Sequence, residues 1–341
     1  MTTGSLRRGA AASVGLAAAL ALVSCSAESS GTADDAAGGS SAGWTFTDDV
    51  GETITLDEAP ERVASYADYA LGLHSLDVDP VAVFGRVPVA DDVRFADYDL
   101  SDVAVVGNGY GEVDIEAMAA ADPDVIVVGI YPSDREGTVD LDGPRYGLQD
   151  TAQQQQLEAI APLITIEVGG TGQGVIDSLN RLAVALGADE STVEEAKAEF
   201  DAAAAELQDA AESSGVEVTQ MYADASSGIY VAKPDDEPEM ELYRGYGVDF
   251  TDLNPDDGNY YWDIYSWENA SQMSTGDVLL LNVEGFQAAD LAEQPTFATH
   301  PALVAGQAYE WNGAAMDYRS QAAHMSELAE ILRSAQDVNP A

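Results

Sequence analysis

Side chains able to hold a ligand through ring faces and hydroxyls crowd into one stretch of this chain. Residues 243–267 contain Tyr243, Tyr246, Phe250, Tyr260, Tyr261, Trp262, Tyr265 and Trp267, although aromatics make up only 8% of the whole. Asn254, Pro255, Asp256, Asp257 and Gly258 interrupt them with turn chemistry. A loop carrying such rings suits a ligand that is flat or greasy on one side and polar on the other. Phe250 and some of the tyrosines are expected in the core instead. Further candidates lie just past the ends of expected strands: Tyr66 and Tyr69, Asn108 and Tyr110, and Tyr131. Tyr222, Tyr230, Arg244, Trp262, Trp311 and Arg319 complete the expected ligand-binding set from the second half of the chain.

Catalytic chemistry finds little footing. Outside the small-residue stretch at 25–43 the sequence has no Gly-x-Ser-x-Gly elbow, no phosphate loop and no zinc motif; the single cysteine of the chain is Cys25. His74, His300 and His324 are far apart and match no metal-ligand spacing. No catalytic residue, resident metal or cofactor is therefore expected, and the chain is read as a non-enzyme. The competing reading from another class is a secreted hydrolase built on a pair of acids.

Against 61 acids stand 13 Lys and Arg, for a formal net charge of −48. Nucleic acid and anionic lipid head groups are bound through clustered Lys and Arg, so both are excluded as partners. The acidic surface itself reads as a solvated coat.

Residues 1–24 read as an export signal: Arg7 and Arg8, an apolar run, then small residues. The run over residues 9–23 is about 15 residues, short of the roughly 20 that span a bilayer. Leu22-Val23-Ser24-Cys25 looks like a bacterial lipobox, making Cys25 the expected lipidation site. A lone cysteine forms no intramolecular disulfide, so the fold must rest on its core. Residues 25–43 then form a tether of small and acidic residues, reaching roughly 20–25 Å as a flexible coil. The mature protein is expected on the outer face of the cell membrane, held there by lipid alone.

Strands and helices must bring the candidate side chains together. Short apolar runs at 63–66, 81–85, 103–107, 125–129 and 163–168 alternate with helical patterns at 68–76 and 114–121, the mark of α/β organisation with mainly parallel strands. Val175, Leu179, Leu182 and Leu186 give residues 174–187 one apolar helical face, and a second helical pattern comes next at Val193, Ala196, Phe200, Ala203 and Leu207. Strands then return at 216–223, 229–233 and 277–283, before a closing helix over 321–332. The expected fold is α/β: two doubly wound lobes at 44–168 and 191–341, joined by a long interdomain helix within 169–190. A ligand cleft is expected between them, beyond the strand ends.

Three stretches resemble the periplasmic-binding-protein family that serves ABC importers of ferric siderophores, haem and cobalamin. The first runs from Thr45-Phe46-Thr47-Asp48-Asp49-Val50-Gly51 through Ile54-Thr55-Leu56 to Pro60-Glu61-Arg62-Val63-Ala64. The second is Val106-Gly107, then Asp114-Ile115-Glu116 and Asp122-Pro123-Asp124-Val125-Ile126-Val127. The third is Trp267-Glu268 followed by Gly276-Asp277-Val278-Leu279-Leu280. The resemblance implies a helical bridge, with residues 174–187 as the candidate, and small rigid-body closure. It implies a monomer that hands its ligand to ABC permease subunits, with Glu116 and Glu268 as permease-docking residues. Tyr131 matches a cleft position that is aromatic in hydroxamate-siderophore relatives, whereas Gly109 stands near where they carry an arginine. An anionic catecholate or a haem propionate requires several basic residues. The implied ligand is accordingly a neutral or cationic ferric hydroxamate siderophore that carries its own Fe3+, with haem or cobalamin as the alternative.

Overall fold

The computed structural model describes residues 43–253, 260–273, 275–313 and 315–339. Cys25, the export signal, nearly all of the tether and the turn at residues 254–258 lie outside the described residues. The hairpin of β1 (Trp44–Thr47) and β2 (Thr53–Leu56) opens the fold, burying Phe46 and Ile54 as directly opposed partners.

Runs of Val, Ile and Ala, buried on both faces, make the first sheet wholly parallel. Its elements in chain order are β3 (Val63–Tyr66), α1 (Ala67–Ser75), β4 (Ala82–Gly85), β5 (Ala104–Asn108), α2 (Ile115–Ala121), β6 (Val125–Ile130), α3 (Thr151–Glu158) and β7 (Leu163–Glu167). The strand order is β5-β4-β3-β6-β7. Order reverses between β3 and β6, so the crevice beyond their C-terminal ends opens where Tyr66, Asp68, Tyr69 and Tyr131 emerge. Asp114 and Asp150 cap α2 and α3, accepting from the amides of Ala117 and Gln153, each at 2.9 Å.

The connection to the second sheet consists of two helices in succession, where the two helical patterns were expected. The shorter, α4 (Gly172–Ala185), is amphipathic as its leucine spacing requires. It packs on α1 of the first lobe and on a helix of the second. A Cβ at Gly72 would lie 2.2 Å from Leu179, and one at Gly172 would lie 2.2 Å from the carbonyl oxygen of Pro238, so glycine sets the closeness of both contacts. Residues 186–189 then break the path, and the next helix, α5 (Glu190–Ser214), has 25 residues.

The second sheet contains β8 (Glu217–Asp224), β9 (Gly228–Ala232), α6 (Pro238–Gly245), β10 (Asp249–Phe250), β11 (Trp262–Tyr265), β12 (Val278–Asn282), α7 (Ala288–Ala292), α8 (Pro301–Ala305), β13 (Ala308–Trp311) and α9 (Tyr318–Ser334). Its order is β11-β9-β8-β12-β13, with β10 beside the start of β8. The sheet is parallel from β8 through β12 to β13 and antiparallel along its β9–β11 edge. Only a tight turn separates β8 from β9, so the two form an antiparallel hairpin, and β11 adds antiparallel to β9. Helix α9 lies along α5, and buried Asp317 caps it while accepting from Ser75 Oγ at the end of α1 at 2.8 Å.

Candidate functional site

A cavity of about 580 Å3 lies where the strand ends of the two sheets face each other, within the size range of small-ligand sites. The first lobe supplies Asp68 and Tyr69 from α1, Arg86 just past β4, Arg94, Tyr131 just past β6, and Tyr146. The second supplies Gln220 and Tyr222 from β8, Asn282 and Glu284 from the end of β12, the α6 entrance at Glu237 and Glu239, and Tyr260, Tyr261 and Trp262. Helix α4 closes the base with Val175 and Leu179.

Of the expected residues, Tyr69, Tyr131, Tyr222 and Trp262 line this cavity. Tyr66 stands behind it, fully buried, with its ring 5.6 Å from Phe84 and 5.7 Å from Tyr146. Tyr230 buttresses the opposite wall, edge-on to Tyr222 at 5.7 Å and to Trp262 at 6.1 Å. Asn108 holds a loop, accepting from the Val89 amide at 3.2 Å. Tyr110 is 57% exposed and touches the site only through Tyr146.

Three expected residues stand away from the cavity, each for a local reason. The Trp311 ring is buried, and its indole N–H donates to Glu239 at 2.9 Å, so it supports the wall from behind. Arg244, at the far end of α6, pairs with Asp235 on the surface. Arg319 turns back to donate to the Ser75 carbonyl at 2.6 Å, where α1 meets α9.

Sequence reasoning missed the charged lining. Arg94 donates to Asp92 at 2.7 Å and to Asp68 at 2.6 Å, and Asp68 also accepts from Arg86 at 3.3 Å. Arg86 then crosses the cleft to Glu284, at 3.2 Å from Nε and 2.5 Å from Nη2. Burial works against charge on Arg86, yet Asp68 and Glu284 outweigh it and hold the guanidinium more firmly protonated than usual. Burial likewise opposes ionisation of Asp68, but Arg94 and Arg86 keep it below the ordinary carboxylate range. Arg86 directly follows a strand end, so the rule that found Tyr131 would have found it too. A second pair spans the lobes at 3.0 Å, from Arg135 to Asp236.

Across the cavity, Glu237 and Glu239 flank Pro238 at the start of α6, 8% and 3% exposed. Glu237 accepts from the Met240 amide at 2.6 Å and from the Tyr261 hydroxyl at 3.3 Å. Glu239 accepts from Trp311, from Gln321 at 3.3 Å and from Tyr243 at 3.4 Å, and His324 lies 3.5 Å away. Burial, then the neighbouring Glu239, pushes Glu237 up to about 8. Burial also drives the Tyr69 and Tyr131 hydroxyls well above their usual range, so both remain neutral donors at physiological pH.

Glu116 is exposed in the first turn of α2, and Glu268 is exposed in the 3-10 helix Trp267–Met273. Among the described residues no group of three or more His, Cys, Asp and Glu could hold a metal ion, and no helix is long and apolar enough to cross a membrane.

Two α/β lobes, a helix touching both, and a cavity lined from the strand ends of each define a bilobal binding protein. The chain belongs to the periplasmic binding protein family, whose model matches residues 66–315, more than half of its length. Among solved structures it is similar to DesE, a ferric-siderophore receptor protein from Streptomyces coelicolor, with 27% identity and a TM-score of 0.75 over 87% of this chain and 100% of that one. It shares its fold with the siderophore periplasmic binding protein of the fuscachelin gene cluster of Thermobifida fusca, at 21% identity and a TM-score of 0.58 over 81% and 97% of the two chains. The same holds for FhuD2 from Staphylococcus aureus, solved with bound ferrioxamine B, at 18% identity and 0.54 over 80% and 98%. No curated protein sequence matches.

Proposed function

We propose that this protein is the extracytoplasmic receptor of an ABC importer, capturing a ferric siderophore of the hydroxamate class, neutral or cationic, and passing it to the permease. One observation carries the ligand class: the two arginines that line the cavity are already paired with carboxylates, while the remaining lining combines tyrosine, tryptophan and amide side chains with aliphatic ones and the acids Glu237 and Glu239. Ring faces and neutral hydroxyl donors suit the apolar arms and the carbonyl and N–O oxygens of a ferric trihydroxamate. A catecholate, carrying several negative charges, needs unpaired cations to balance them. DesE, described as a ferric-siderophore receptor, supports a ferric siderophore as the ligand.

In this reading Cys25 carries the lipid anchor, and Glu116 and Glu268 are the fixed negative points, one per lobe, that meet the two permease subunits. Their exposure supports that role. The ligand class is tested by tryptophan-fluorescence titration with ferric hydroxamates, ferric catecholates, haemin and cobalamin, because Trp262 lines the cavity and ferric complexes quench. Saturable one-to-one quenching by a ferric hydroxamate is expected. A Soret shift with haemin and no response to any hydroxamate would replace the siderophore with haem.

A further inference from the structure

We propose that Glu284 sets which ligand charge the cleft accepts, by occupying Arg86 so that a net-anionic ferric complex meets no available cation while a neutral or cationic one enters undisturbed. The inference rests on the siderophore reading of the cavity and assigns its charge selectivity to one residue. Asp92, Arg94, Asp68, Arg86 and Glu284 form a single alternating series of charges. Three carboxylates against two guanidiniums leave it with one excess negative charge. The first four members belong to the first lobe, and Glu284 alone reaches in from the second, just beyond β12.

The geometry leaves an anion no inexpensive way in. All three guanidinium nitrogens of Arg86 face a carboxylate: Nη1 faces Asp68, and Nε and Nη2 face Glu284. A ligand carboxylate or phenolate could gain Arg86 only by evicting Glu284, whose displaced charge would then repel it. Asp68 cannot serve as the selector, because two arginines share it and its loss would disturb both. Among the described residues the Glu284 side chain pairs with Arg86, and its backbone is held separately, its amide donating to Asn282 Oδ1 at 2.8 Å. Neutralising Glu284 would balance the series and turn two donors of Arg86 toward the cavity without dismantling the first wall.

Three ferric complexes of one linear trihydroxamate test this, with the terminal amine free, acetylated or succinylated, so that only net charge changes from positive through neutral to negative. Tryptophan quenching gives each affinity. The native protein should bind the succinylated complex about tenfold more weakly than the other two. In Glu284→Gln the succinylated complex should gain about tenfold while the neutral one moves less than twofold. Adding Arg86→Gln should erase that gain, and Glu284→Ala should reproduce the single-variant pattern if glutamine perturbs folding. Equal affinities in the native protein, or variants that shift all three complexes together as loss of a lobe contact would, overturn the inference while the siderophore reading stands. Binding of none of the three by the native protein overturns both.

Discussion

On the first wall of the cleft, Asp68 is held by the guanidiniums of Arg94 and Arg86, and its charge persists across the physiological pH range. On the second, Glu237 and Glu239 are held mainly by an indole, an amide, phenols and a backbone N–H, with His324 close to Glu239. Ion pairing fixes charge where it stands. Neutral donors satisfy geometry but leave the desolvation of a buried carboxylate largely uncompensated, and a proton makes up the difference. Asp68 therefore presents a constant charge to a ligand, whereas Glu237 titrates near neutrality.

The sharpest way to break this contrast is Asp68→Ala, which strands Arg86 and Arg94 without their shared partner. With Asp68 19% exposed, a loss of about 3 kcal/mol in denaturant-measured stability is expected, together with most ligand affinity. Glu237→Gln probes the other wall. An acid whose folded pKa is raised from 4.5 to about 8 binds a proton in the folded state that the unfolded chain lacks, so stability falls as pH climbs through that window. The glutamine variant should lose that decline, gaining about 2 kcal/mol on the parent between pH 5 and 8. Glu239, Tyr243, Tyr260, Tyr261 and His324 surround the position, and the window should survive mutation of His324 if Glu237 is its source.

Smaller effects fall on the rings. Tyr131→Ala and Trp262→Ala, one from each wall, should each weaken ferric trihydroxamate binding about tenfold, read by calorimetry with little change in melting temperature. Loss from one wall only would mean that the ligand leans on that lobe alone. Reversing both Glu116 and Glu268 should leave affinity unchanged and stop uptake of labelled iron by whole cells. Lost affinity would place these residues in the binding machinery instead of the docking surface.

The first sheet was legible because its strands are continuous Val, Ile and Ala runs whose ends fall next to the cleft. Tyr69 and Tyr131 follow from that placement alone. The second sheet was only partly so: β11, between a turn-rich stretch and a 3-10 helix, reads as loop, and its antiparallel addition comes from tertiary pairing with β9. The bridge was legible from its leucine spacing, and Gly187, with φ at 106°, separates α4 from the second helical pattern that forms α5. Charged lining was the hardest to see. Among 61 acids nothing local distinguishes Glu237, Glu239 or Glu284, since their burial or pairing is decided by residues far away in the chain. Trp311 shows the converse, a ring at a strand end that packing turns inward.

The most direct test is a crystal structure of the protein with a ferric trihydroxamate. The complex should sit in the interlobe cavity with Tyr69 and Tyr131 against one side, Tyr222 and Trp262 against the other, and the Arg86–Glu284 pair intact. A ligand bound to one lobe only, outside the cavity, or with Glu284 displaced from Arg86 would contradict the account.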